Sequence, residues 1–105
     1  MNVITTDTFD TWLDKLPNQR AKDKIYFWIQ RIQYNGAITG DTKSVKDGVN
    51  ECRFHTGAGY RVYYAKQGSE IILLLAGGDK STQRRDIEKA KAMQKEWSRK
   101  TQHRK

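Results

Sequence analysis

The chain has 105 residues, room for one domain with a modest core that removes about 60 to 70% of the unfolded surface from water. Twenty lysines and arginines against twelve acids give a formal charge of +8, which calls for a polyanionic partner, either nucleic acid or an acidic protein surface. A single cysteine, Cys52, excludes an intramolecular disulfide, and the longest apolar run, Ile71 to Ala76, is far too short to span a bilayer.

The opening Met-Asn-Val-Ile-Thr-Thr lacks the basic and long apolar regions of a signal peptide, so a reducing cytoplasm is the expected location. Val3 and Ile4 predict a short first strand. Asp7 then has the side chain to cap a helix in which Phe9, Trp12, Leu13 and Leu16 recur at helical spacing until Pro17 stops it. Asn18 is placed to cap a second helix, with Ala21, Ile25, Trp28, Ile29 and Ile32 on one face and Asn35-Gly36 at its end. The segment Ala37 to Gly48 has no hydrophobic period and reads as a surface loop carrying Lys43 and Lys46.

Val49 to Phe54 alternates. Asn50, Cys52 and Phe54 form one set, with Cys52 and Phe54 in the core, while Val49, Glu51, Arg53 and His55 fall towards the other, leaving Arg53 and His55 on the open face. After Thr56-Gly57-Ala58-Gly59 the chain returns as a strand from Tyr60 to Ala65, with Arg61 and Tyr63 on one face and Tyr60, Val62 and Tyr64 on the other. Ile71 to Leu75, apolar at every position, reads as a central strand covered on both faces. Beyond Gly77-Gly78, either Asp79 or Ser81 caps a last helix with a narrow apolar stripe of Ile87, Ala90, Met93 or Gln94, and Trp97. Trp12, Trp28 and Trp97 read as packing residues.

These elements predict one small α+β domain over residues 1–97, ordered strand-helix-helix-strand-strand-strand-helix with a mainly antiparallel sheet, and a basic, flexible tail over 98–105. Charge is placed unevenly. Lys80 to Lys105 holds ten bases and three acids, a net +7, whereas the rest of the chain carries +1.

Four features carry chemistry. Arg61 stays protonated at any working pH, and its planar fork binds two phosphate oxygens side by side. Arg53 on the neighbouring strand is a second clamp or the ion-pair partner of Glu51 or Glu70. Lys80, at the handover from strand to helix, is placed to meet an anion together with the free helix N–H groups. His55 is the natural proton-transfer residue near neutral pH, with Asp86 as the alternative base. Around them, Lys43, Lys46, Gln83, Arg84 and Arg85 are candidate nucleic-acid contacts, and Tyr63 is a candidate base-stacking residue. Two distant histidines and one cysteine make no recognisable zinc spacing, so neither a metal site nor a cofactor is expected.

The same residues support a resemblance that covers nearly the whole chain. Phe9 with Trp12-Leu13, Gly40-Asp41 with Lys43, Gly48-Val49 with Glu51 and Arg53, Gly57 through Tyr64, and Leu73-Leu74-Leu75 followed by Gly77-Gly78-Asp79-Lys80-Ser81, Gln83, Asp86-Ile87 and Ala90 occur in the order found in the RelE/ParE superfamily of type II toxins. Within it the chain resembles the HigB-like addiction module killer proteins. The resemblance implies a metal-independent endoribonuclease that cuts mRNA in the ribosomal A site and is silenced by a cognate antitoxin, a small helix-turn-helix protein. As alternatives it admits a ParE-like inhibitor of DNA gyrase that cuts no RNA, or an inactive regulatory homologue, because the fold does not decide the activity. The chain departs from the RelE type in having no tyrosine after Tyr64, where that type uses one in the last helix.

Overall fold

The computed structural model describes the backbone of residues 1–103 and the side chains of residues 1–99. Strand β1 (Asn2–Thr5) leads into helices α1 (Asp7–Asp14) and α2 (Gln19–Asn35); strands β2 (Asp41–Ser44), β3 (Asn50–Phe54), β4 (Tyr60–Gln67) and β5 (Ile71–Gly78) follow, and a 3-10 turn at Lys80–Thr82 opens helix α3 (Gln83–His103). The five strands lie in the order β1-β5-β4-β3-β2, with β1 parallel to β5 and every other pair antiparallel. The expected α+β class and mainly antiparallel sheet are therefore present, with one strand more than the sequence predicts.

That strand is β2, inside the segment read as a loop. Asp41-Thr42-Lys43-Ser44 is exposed at every position and has no apolar face to signal it. It forms because it lies beside β3, which supplies the ladder that Asp41↔Arg53 and Lys43↔Glu51 complete. The connecting turn takes three consecutive left-handed residues, Lys46 (φ 76), Asp47 (φ 55) and Gly48 (φ 80). This conformation is unfavourable for non-glycine residues. An ion pair from Lys91 Nζ to Asp47 Oδ2, 3.3 Å, ties the turn to α3.

Helix boundaries follow local chemistry. Asn18 caps α2 by accepting from the Ala21 N–H at 3.0 Å, and Gly36 ends it in the left-handed conformation (φ 71), its N–H returning to the Ile32 carbonyl at 2.9 Å. At α1 the cap is Thr6 rather than Asp7. The Thr6 hydroxyl accepts from Phe9 N at 3.0 Å while donating to the Leu75 carbonyl at 2.7 Å, so the neighbouring strand favours threonine one residue earlier. The last helix continues through Ser98 to His103, past the tail boundary expected after Trp97. The terminal pair Arg104-Lys105 lies outside the described residues.

The sheet separates two apolar layers. One holds Phe9, Leu13, Ile25, Trp28 and Ile32 of α1 and α2 against Cys52, Phe54, Val62, Tyr64, Ile72 and Leu74. Burial there pushes the Cys52 thiol up to about 12, helped by the charges of Asp41 and Glu51. The sulfur is accordingly an inert packing atom. The second, smaller layer sets Val49, Tyr63, Ala65, Leu73 and Leu75 against Ala90, with Ile87, Met93 and Trp97 around them.

A bulge in β5 shapes the site. Tyr63 pairs with Ala76 but Tyr64 pairs with Leu74, so Leu75 is the extra residue and the alternation of β5 inverts beyond it. Gly77 thus turns towards α1 and Gly78 towards α3. Each is glycine because a ring or a carboxylate occupies the place of its side chain. A Cβ on Gly77 would overlap the Trp12 ring, and one on Gly78 would overlap the Asp86 carboxylate. We expect Gly77→Ala to destabilise the fold by about 1 to 3 kcal/mol through overpacking, measured as a shift of the urea midpoint. A loss below about 0.5 kcal/mol would mean that Trp12 moves aside freely.

Candidate functional site

Sheet register assembles the site. Two cross-strand rows run across the face beneath α3, Asp41–Arg53–Arg61–Gly78 and Lys43–Glu51–Tyr63–Ala76. Opposite neighbours in such rows lie close enough for their side chains to interact. At the head of α3, Gln83 reaches over from the other side.

The two rows converge on Glu51, which is fully buried. Gln83 Nε2 donates to its Oε1 at 2.8 Å and the Tyr63 hydroxyl donates to the same oxygen at 3.4 Å. Three cations surround it. Arg61 Nε lies 3.0 Å from Oε1, while Lys43 Nζ and Arg53 Nε each lie 3.8 Å from Oε2. A buried carboxylate is costly unless charged or hydrogen-bonding groups surround it, and Glu51 has both. Around Glu51 three positive charges face one negative one, and Arg53 is shared with Asp41, whose Oδ2 lies 3.9 Å from its Nε.

Arg61 is the most constrained of the three. It is 7% exposed, and its Nη1 donates to the Gly59 carbonyl at 2.9 Å. Its Nε–H is not aimed at Glu51 despite the short separation; among the described residues Arg61 Nε, Arg53 Nε and Glu51 Oε2 are buried without a hydrogen bond. Gly59, in the left-handed conformation (φ 73), lies between Arg61 and Lys80. A side chain there would stand 3.7 Å from both Arg61 Nη1 and Lys80 Cβ. The hairpin turn is tied to the 3-10 turn by Lys80 N–H donating to the Ala58 carbonyl at 3.4 Å. Lys80 itself is exposed at the rim. Asp79 caps this turn, its Oδ1 accepting from Ser81 N and Oγ at 2.8 and 2.6 Å, and the Ser81 hydroxyl chiefly holds its carboxyl below the ordinary range.

His55 stands at the exposed end of β3, 71% open to solvent, with Nε2 2.7 Å from Asp41 Oδ2. That bond is the main reason the Asp41 carboxyl is held below its usual value, with the charges of Arg53, His55 and Lys43 acting in the same direction. The pair exists because Asp41 is on a strand, a partner that a loop reading of this segment hides.

Arg53, Arg61, Lys43, Gln83 and His55 are thus brought together, with Lys80 at the rim. Lys46 sits apart at the tip of the β2–β3 turn, and Arg84 and Arg85 are exposed on the first turn of α3. Gln83 is a brace for Glu51, and Arg53 faces Glu51 and Asp41, not Glu70.

Tyr63 is a correction. Its ring is fully buried beneath α3, so no face is open for a base to stack on, and burial followed by the Glu51 charge pushes its phenol well above the ordinary value. Asp86 is 9% exposed and engaged. It accepts from the Thr82 hydroxyl at 2.5 Å and presses on Gly78, locking α3 to β5. Glu51 is the residue that the sequence offers only as a partner for Arg53, and the structure buries it among the cations. The available signal was an acid at period two with Arg53, in a strand otherwise entering the core.

The family model described as Phage derived protein Gp49-like (DUF891) matches residues 11–97, a span holding every residue of the two rows. The chain belongs to the Gp49-like family. This is a family of RelE/ParE-like toxins of toxin–antitoxin systems, so an antitoxin is the partner the family implies. An uncharacterized protein of Haemophilus influenzae is 50% identical over 96 residues, covering 91% of this chain and 95% of its own. Among the described residues, no helix of this Gp49-like domain is long and apolar enough to cross a membrane, and no three His, Cys, Asp or Glu side chains are grouped to hold a metal ion.

Proposed function

We propose that this Gp49-like protein is a HigB-like toxin that acts in the cytoplasm as a metal-independent endoribonuclease on ribosome-bound mRNA, silenced by a small helix-turn-helix antitoxin. The observation that carries the reading is the facing pair Arg53 and Arg61 across β3 and β4, with Arg61 braced by Glu51 and by the Gly59 carbonyl. Cleavage of RNA by its own 2′-OH needs a site for the doubly charged, five-coordinate phosphorus, a group that takes the 2′-OH proton and a group that protonates the departing 5′-oxygen. Arginine forks on rigid strands supply the first, and such preorganised donors are worth about 3 to 4 kcal/mol each in comparable sites.

His55, paired with Asp41 at the mouth of the cleft, takes the 2′-OH proton, and water at this open end protonates the departing 5′-oxygen. Glu51 is too deeply enclosed to touch the 2′-OH, and its part is to orient Arg61. Lys80, Lys43, Lys46, Arg84 and Arg85 bind the neighbouring phosphates, and this share of the affinity falls as salt rises.

Inducing the protein in growing cells, then mapping mRNA 5′ ends alongside DNA supercoiling, tests the reading. New ends in phase with codons support it; intact mRNA with gyrase-linked DNA breaks replaces it with a gyrase-directed toxin.

A further inference from the structure

Among the described residues, the three large apolar side chains left exposed, Tyr26, Phe27 and Tyr34, all belong to α2, at 47%, 59% and 91% exposure. Arg20, Lys24, Phe27, Arg31 and Tyr34 recur at helical spacing, so they form one stripe turned away from the buried Ala21, Ile25, Trp28 and Ile32. Within the stripe the Arg31 guanidinium lies over the Phe27 ring, 5.7 Å from its centre. The helix has a single acid, Asp23, and its carboxylate is occupied by the Gln19 amide at 2.8 Å. Lys24 Nζ donates to the Thr56 hydroxyl at 2.7 Å, which joins the stripe to the residue directly after His55.

We propose that the α2 stripe is a second binding surface for single-stranded RNA, taking the strand where it leaves the cleft at His55; this rests on the RNA reading of the cleft. Cations alternating with open aromatic rings suit such a strand, since phosphates meet the cations and any base stacks on a ring. From Arg20 to Tyr34 the stripe runs about 21 Å along the helix. The route from the cleft to α2 turns around the β3–β4 end of the sheet onto its opposite face. A flexible strand follows that bend, whereas an acidic helix would contact only one side of it.

The test uses 2′-O-methyl oligouridines, which lack the attacking hydroxyl, at about 4 and about 16 nucleotides, the lower and upper range of single-strand site sizes. Binding is read by fluorescence anisotropy on the full chain. Phe27→Ala and Arg31→Glu are each expected to weaken the longer RNA by about tenfold and to leave the shorter one unchanged, with Arg31→Glu also flattening the salt dependence. Both side chains are surface groups, and unaltered melting curves confirm that folding is intact. If the variants bind the longer RNA as tightly as the parent does, the inference is overturned while the cleft reading stands. A parent protein that binds neither length overturns both. Variants that bind RNA normally but no longer assemble with a co-expressed antitoxin reassign the stripe to protein docking and overturn it as an RNA site.

Discussion

On the nuclease reading proposed above, Arg61→Ala is expected to lower RNA cleavage by about 10²- to 10³-fold, the loss that follows when one preorganised donor to a developing oxyanion is removed. The informative companion is Arg61→Lys. Lysine keeps the positive charge that faces buried Glu51 and so keeps most of the stability, but it offers a point charge in place of a planar fork and cannot hold two phosphate oxygens side by side. Cleavage by Arg61→Lys is therefore expected to stay depressed by at least about tenfold while its melting temperature stays close to the parent's. Primer extension on mRNA in a purified translation system measures the first quantity, and thermal unfolding the second. Full activity in the lysine variant would show that a positive charge suffices and that the fork geometry is irrelevant.

Glu51→Ala carries the largest expected effect on stability. Removing the carboxylate leaves Arg61, 7% exposed, without its counter-charge, and it also unpairs Gln83 and Tyr63. Breaking a buried pair in this way costs about 3 to 5 kcal/mol, a large part of the stability of a domain this size. The double variant Glu51→Leu with Arg61→Met is expected to recover most of that loss while remaining unable to cleave RNA, because two apolar groups need no partners. Urea unfolding of the two single variants and the double one closes the cycle. If Glu51→Ala alone loses less than about 1 kcal/mol, the carboxylate is not the organising counter-ion, and solvent or a shift of Arg61 compensates.

The two effects separate roles that the static arrangement joins. On the proposed reading Arg61 meets the substrate and Glu51 only holds Arg61, so Glu51→Gln, which keeps the shape and the contact from Tyr63, is expected to lower turnover while costing less stability than Glu51→Ala. An isostere preserves packing but not the charge that fixes a guanidinium.

Local chemistry made much of the fold readable. Asn18 and Gly36 bracket α2 with a side-chain cap and a left-handed terminus, signals contained within a few residues. The unbroken apolar run of β5 marks an interior strand, and the alternation of β4 puts Arg61 and Tyr63 on one face by geometry alone. The cation set was readable for the same reason, since Arg53 and Arg61 need only period two on adjacent strands to face each other.

What escaped the sequence depends on partners distant along the chain. Strand β2 has no apolar pattern because both of its faces are wet, and only its pairing with β3 makes it a strand; without it, neither Asp41 beside His55 nor Lys43 beside Glu51 could be foreseen. Tyr63 and Glu51 share the face of Arg53 and Arg61, yet α3 covers the first two and leaves Arg53 partly open. Alternation reports a face and says nothing of what lies over it. The bulge at Leu75 inverts the end of β5, so the roles of Gly77 and Gly78 follow from pairing geometry that no spacing of residues announces.

By itself, then, the sequence determined the helices, the central strands, the excess of positive charge and the two arginines that face each other, because each arises from contacts within a short stretch or from the two-residue period of a strand. The tertiary structure alone decided that a buried glutamate sits among those cations, that a histidine is paired with an aspartate fourteen residues away, and which tyrosine is closed to solvent. These depend on register and on the placement of α3, and both are settled by packing the whole sheet at once.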